Sequence, residues 1–188
     1  MAFLSSSASL PHYFLPTEKN RHLLCRSLCQ HIQNRKKEDE SLILLCIGTD
    51  KITGDCLGPL VGTKLTKQRF PFPVYGTLEH PVHAVNFLPV LHDLHRKYPR
   101  PFLLAIDASM GTANAIGSVS LSSDPLYPGS GVCRPLPPVG DLSLTGIIGE
   151  ASPSGEADLP YVRLYTVNLL ADFITGALLA ASPFISQI

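Results

Sequence analysis

The 188-residue sequence predicts an α/β fold, a three-layer doubly wound sandwich with a mostly parallel sheet flanked by helices. Three observations carry that expectation. Leu42-Ile43-Leu44-Leu45-Cys46-Ile47 is a short, continuously apolar run that stops at Gly48. Strands buried on both faces of a parallel sheet read this way. Apolar runs of this kind alternate along the chain with stretches of helical period, the order of βαβ units. Hydrophobic residues make up 45% of the chain, and a chain of this length can bury one real core without staples.

The elements follow in order. Residues 1–16 read as a loose, Ser-rich start. Thr17 can cap a helix running to about Lys37, with Leu24, Leu28 and Ile32 on one face. The mixed charges from Arg35 to Glu40 form a solvated helix end and connector. After the strand over 42–47 comes a loop, Gly48 to Asp55. A helix follows from Gly58 through Leu65, with Pro59 in its first turn. Val74 to Thr77 is a short second strand. Val85 to Tyr98 is a helix, its start limited by Pro89. Pro101 to Ile106 is another apolar strand, ending at Asp107. Gly117 to Ser122 alternates like a half-exposed strand. Asp124 to Pro138 is a long Pro- and Gly-rich loop, and Leu142 to Ile148 is the last strand. In the final helix Val167, Leu170, Ala171, Ile174, Leu178 and Ala181 recur at helical spacing, and Asn168 and Asp172 interrupt the apolar run. That pattern suits a helix packed on a sheet better than a membrane span. No internal repeat and no second domain is visible, so residues 1–188 are read as a single domain.

Charge and cysteine usage narrow the function classes. Lys+Arg and Asp+Glu are 15 each. A balanced chain gains little from phosphate backbones or anionic bilayers, so neither nucleic acid nor a membrane is the expected partner. The five cysteines are odd in number and include no C-x-x-C pair. Reduced thiols in the cytoplasm are the simplest reading. Met1 to Leu15 lacks the basic region of a secretory signal.

Chemistry is expected at two carboxylates. Ligands of open α/β sheets bind beyond the carboxyl ends of the strands, at a topological switch point. Asp55 follows the first apolar strand through one loop, and Asp107 ends a later one. If those strands are neighbours, both carboxylates reach one crevice, where they can share a proton. The ionised member can then activate water while the other protonates a leaving group. The same pair can hold a metal, and either aspartate alone can be a helix cap or turn former.

Other residues carry weaker signals. Pro128-Gly129-Ser130-Gly131 can offer backbone N–H groups to a substrate, or simply turn the chain where glycine permits it. Gly129, Ser130 and Gly131, together with Asp50, are the expected substrate contacts. Ser130 lies outside a G-x-S-x-G elbow. His92 and His95 would share a helix face, but Arg96 and Lys97 follow them, the mark of a polar C-terminal turn. His80 and His83 have the same spacing, and Glu79-His80 reaches the crevice only at second rank. Cys56 reads as a small buried side chain, since a neighbouring carboxylate disfavours its thiolate. Gly48 to Gly54 is not a P-loop, because Asp55 stands where Lys would be.

The run Cys46-Ile47-Gly48-Thr49-Asp50-Lys51-Ile52-Thr53-Gly54-Asp55-Cys56-Leu57-Gly58-Pro59-Leu60-Val61-Gly62 closely resembles the YyaC family of sporulation proteins. So do Ala105-Ile106-Asp107-Ala108, Pro128-Gly129-Ser130-Gly131-Val132 and Leu136-Pro137-Pro138-Val139-Gly140-Asp141. The likeness runs from about Ser41 to Ala181. That family in turn resembles the germination protease of spore-forming bacteria, through an Asp before Leu-Gly-Pro, an Ile-Asp-Ala strand end and a Pro-Gly-Ser-Gly loop. The resemblance implies the fold of the hydrogenase maturation peptidases. It also implies an aspartic-type peptidase with Asp55 and Asp107 as the catalytic pair, acting on a peptide or protein substrate such as small acid-soluble spore proteins. The hydrogenase peptidases add a later His as a third metal ligand. Here no His follows His95, so neither metal nor cofactor is expected. The chain is much shorter than the germination protease, which leaves a second expectation: a non-catalytic protein that binds a peptide or protein in the same crevice. The apolar helix faces are compatible with a homo-oligomer.

Overall fold

The computed structural model describes residues 12–129, 136–151 and 161–187. The elements are β1 (His12–Phe14), α1 (Glu18–Arg35), β2 (Ser41–Cys46), α2 (Leu57–Lys67), β3 (Val74–Tyr75), α3 (Phe87–Lys97), β4 (Pro101–Gly111), β5 (Val119–Ser122), β6 (Leu142–Glu150) and α4 (Leu164–Ile185). Among the described residues six strands form one sheet, ordered β1-β5-β6-β4-β2-β3. β3, β2, β4 and β6 run parallel, while β5 lies antiparallel to β6 and β1 antiparallel to β5.

Strand parity divides the core in two. From β2 and β4, Leu42, Leu44, Cys46, Phe102, Leu104 and Ile106 point into a large core with α1, α2 and α4. Ile43, Leu45, Leu103 and Ala105 point to the other face, where α3 contributes Phe87 and Leu94 and loops add Val82 and Val139. The sandwich therefore has three layers of unequal weight: three helices cover one face, and one helix with loop segments covers the other.

Local chemistry sets the helix ends. Thr17 caps α1 by accepting a hydrogen bond from the N–H of Asn20 (3.2 Å). Pro59 and Pro89 fall in the first turns of α2 and α3, where a missing N–H costs nothing. By length and composition α4 is apolar enough to cross a bilayer, but Val167, Leu170, Ala171, Ile174, Leu178 and Ala181 are buried against the rest of the fold.

β3 stops at Tyr75 rather than Thr77, and four further differences from the sequence expectation have a cause elsewhere in the fold. β1 lies within the segment expected to be a loose start; at three residues it is too short for a period-2 signal and exists because β5 offers it an edge. β4 does not end at Ile106 but continues to Gly111, because β6 keeps pairing with it out to Glu150. β5 is buried rather than half-exposed: Val119, Ser120 and Leu121 all lie inside, between β1 and β6. α3 starts two residues later than Val85, because Asn86 ties up the preceding turn.

The Val139-Gly140-Asp141 segment has a structural role. The Asp141 carboxylate accepts the N–H of Leu103 (2.7 Å), and its own N–H donates to the Leu103 carbonyl (2.8 Å). The pair fixes where β6 starts against β4. Asp141→Ala should cost about 1–2 kcal/mol in urea unfolding, because a half-buried strand N–H loses its acceptor. It should leave the pH behaviour of the distant carboxylates unchanged.

Candidate active site

The connection after β2 crosses to β3 on one side, and the next connection brings β4 to the other side of β2. The gap between β2 and β4 is therefore the switch point of the sheet. β2 ends at Cys46, which is paired with Ile106; β4 runs on. The next residue, Asp107, thus loses its neighbour on that side. It keeps the parity of Leu103 and Ala105 and faces the thinner layer. A cavity of about 270 Å³ opens there.

Asp55 and Asp107 both line that cavity. Asp55 is held in the 3-10 turn Gly54–Cys56, directly before α2. No side chain caps α2, so Asp55 is not used as a helix cap there. Two close backbone contacts fix the loop. A β-carbon on Gly48 would sit 2.0 Å from the Asp55 carbonyl oxygen, and one on Gly58 would sit 2.1 Å from the Ile47 carbonyl oxygen. Gly48 also has φ +132°, which side chains rarely adopt. The N–H of Thr49 closes the loop on the Asp55 carbonyl (3.0 Å).

The two carboxyls differ in setting. Burial raises the Asp55 carboxyl to about 6, with the Thr49 N–H opposing the shift. Asp107 is buried, only 8% exposed. Burial raises it well above the usual carboxylate range and the charge of Asp55 raises it further, opposed by the Ala108 N–H on Oδ1 (2.7 Å). Both carboxyls therefore hold a proton more tightly than an ordinary carboxyl does, and ionising one disfavours ionising the other.

The remaining expected residues separate. Gly129 lines the cavity. Ser130 and Gly131 lie outside the described residues. Asp50 is exposed and is not among the lining residues. Cys56 is buried and donates its thiol to the Thr53 carbonyl (3.0 Å), and burial, then the charges of Asp55 and Asp50, push it up. His92 and His95 project from α3 outside the cavity. Among the described residues, no group of three His, Cys, Asp or Glu side chains is placed to hold a metal ion.

His83 lines the cavity, which sequence reasoning missed. The cause is a single bridge: Val82 pairs parallel with Ile47, its carbonyl accepting the Gly48 N–H (2.8 Å). One extra rung of sheet beyond β3 brings His83 beside the Gly48 loop. A lone parallel rung leaves no periodic signal; the Asn86 three residues later, which can tie the turn, was the available hint. Ile47, Ile52, Val85, Met110 and Leu136 supply an apolar wall.

The fold and the site together define an α/β sandwich with a pair of ionisable carboxyls at the switch point of its sheet. A family model described as "Protein of unknown function (DUF1256)" matches residues 14–177, and the chain belongs to that family. The "Uncharacterized protein YyaC" of Bacillus subtilis (strain 168) is 41% identical over 145 residues, covering 77% of this chain and 71% of the relative.

Two measurements test this site. Gly58→Ala should cost about 2 kcal/mol or more in thermal or urea unfolding, because the new methyl group meets a backbone carbonyl that cannot move aside cheaply. The pH dependence of stability should run against the ordinary carboxylate trend. A carboxyl raised on folding binds its proton more tightly in the folded state, so its contribution is complete below about pH 4 and is lost as pH rises through about 6. Asp107 extends the loss to higher pH. Asp55→Asn should therefore be more stable than the parent at pH 7.5, by on the order of 1 kcal/mol after screening at its partly open position, and level with it at pH 4.

Proposed function

We propose that the protein is an aspartic-type peptidase that hydrolyses peptide bonds through Asp55 and Asp107. The observation carrying this reading is the pair itself: two carboxyls on the wall of one cavity, both with raised affinities for protons. Ionised Asp55 is the base that takes a proton from water. Neutral Asp107 is the acid that gives one to the departing amine. The apolar wall suits a polypeptide side chain and keeps bulk water from the carboxyls. The resemblance to the YyaC family and the germination protease supports the same assignment. The reading carries with it an activity in the cytoplasm of sporulating cells, on small acid-soluble spore proteins or similar polypeptides.

The test is incubation of the purified protein with small acid-soluble spore proteins, read by mass spectrometry, beside Asp55→Asn and Asp107→Asn. The wild type should cleave, and each variant should lose at least about 10³-fold in rate while remaining folded. Retained cleavage in both variants would end this reading. Binding without cleavage by the wild type would replace it with a peptide-binding protein. The rate should rise with pH through about 6 as Asp55 ionises, then fall when Asp107 gives up its proton.

A further inference from the structure

We propose that His83 is a third member of the catalytic group, donating a hydrogen bond from Nε2 to the carbonyl oxygen of the bond being cleaved. The inference rests on the peptidase reading of Asp55 and Asp107 and adds a residue and a role to it.

Two carboxyls can move protons, and in this reading the Asp107 proton is committed to the departing nitrogen, which leaves room for a further donor at the oxyanion that forms when water adds to a carbonyl. Such sites need a donor fixed in advance where the charge appears. Several of the backbone donors nearby are engaged. The N–H groups of Gly48 and Thr49 go to the carbonyls of Val82 and Asp55, and that of Ala108 goes to the Asp107 carboxylate. Those of Lys51, His83 and Val85 go to side chains. Three side-chain donors compete with His83, and one of them, the Ser109 hydroxyl, donates to the Met110 carbonyl (3.1 Å). The Thr49 hydroxyl is on the same loop as Asp55 and already accepts the Lys51 N–H (3.4 Å). The Lys51 side chain is exposed, so water screens its charge.

His83 lines the cavity on a segment separate from that loop and is held in place. Its own N–H donates to Asn86 Oδ1 (2.8 Å), and Asn86 Nδ2 donates to the Pro81 carbonyl (2.9 Å). The Val85 N–H donates to its Nδ1 (3.3 Å). A neutral imidazole that accepts at Nδ1 carries its proton on Nε2, so the ring offers a donor there. No other use of that nitrogen is found among the described residues. The Val82–Ile47 rung holds the segment against the end of β2, which is the kind of support a functional donor needs.

In the reaction, the water oxygen bonds to the carbonyl carbon and one water proton passes to the Asp55 carboxylate. The π electron pair moves onto the carbonyl oxygen, where His83 donates a hydrogen bond and keeps its proton. On collapse the C–N bond breaks, its electron pair stays on nitrogen, and that nitrogen takes the Asp107 proton. The pair still holds one proton, now at Asp55. The product acid releases its own proton to solvent, and exchange with solvent returns the pair to its starting form.

The experiment compares wild type, His83→Ala, His83→Gln and Asp55→Asn in two assays, with unfolding midpoints confirming that each variant folds. In the first, cleavage of small acid-soluble spore proteins, His83→Ala should lose about 100-fold in kcat with KM changed less than about 3-fold. His83→Gln, whose amide can donate from a similar position, should recover most of that loss. Unchanged kcat in His83→Ala beside an inactive Asp55→Asn would overturn the role of His83 and leave the peptidase reading standing. The second assay needs no turnover: binding of a statine-containing hexapeptide with leucine-like side chains, against the same hexapeptide with an ordinary amide. Wild type should bind the statine peptide at least about 10-fold more tightly than His83→Ala does, and both should bind the amide equally. Equal binding of the statine peptide, or none by the wild type, would overturn the proposal whatever the first assay gives. Should His83→Ala unfold, His83→Phe, which fills the space without a donor, carries the same expectations.

Discussion

The peptide groups of Ile47 and Asp55 lie so close to Gly58 and Gly48 that no β-carbon fits between them. The rest of the site depends on this contact. It lets α2 start almost on top of the end of β2, and it leaves Asp55 in a one-turn 3-10 segment with its carboxyl over the gap between β2 and β4. A looser loop would let the carboxyl swing into water, where its charge is fully solvated and its affinity for a proton ordinary. The tight backbone keeps it half-buried, and that burial gives it an unusual affinity near neutrality. A backbone constraint is thereby converted into acid–base chemistry.

The same burial works against the fold. Asp107 sits at the register position after Ile106, where an apolar residue would extend the thinner core begun by Leu103 and Ala105. A carboxyl there is costly to ionise, and a second carboxyl in the cavity adds to the cost. Its carboxylate accepts the N–H of the next residue. A carboxyl held in this way against the stability of the fold is a candidate for chemistry rather than for packing. Asp141 makes the contrast. It belongs to an equally conspicuous sequence run, yet both its polar contacts serve the pairing of β4 and β6.

The legible parts of the sequence were those with a local physical cause. The apolar run of β2, the Thr17 cap and the helical period of α4 are dictated within a few residues of themselves, and they stand where expected. The two aspartates were legible because strand ends converge at a switch point whatever the side chains are. What escaped depends on partners distant in sequence. β1 exists through β5, the extension of β4 through β6, and the burial of β5 through the strands on both sides of it. His83 escaped for the same reason, since its place is set by one rung between Val82 and Ile47 rather than by any pattern around it.

The unequal layers explain why the cavity lies where it does. On the heavier face α1, α2 and α4 fill the space with Leu, Ile, Val and Ala. On the lighter face α3 covers only part of the sheet, and its N-terminus stops short because Asn86 is committed to the His83 turn. The space left at the carboxyl end is closed by loop residues, Pro128, Gly129 and Leu136 among them. Asp107 is built into a strand paired on one side, whereas Asp55 sits on a loop closer to solvent. The two carboxyls are chemically identical, so it is this difference in burial that the proposed division into acid and base rests on.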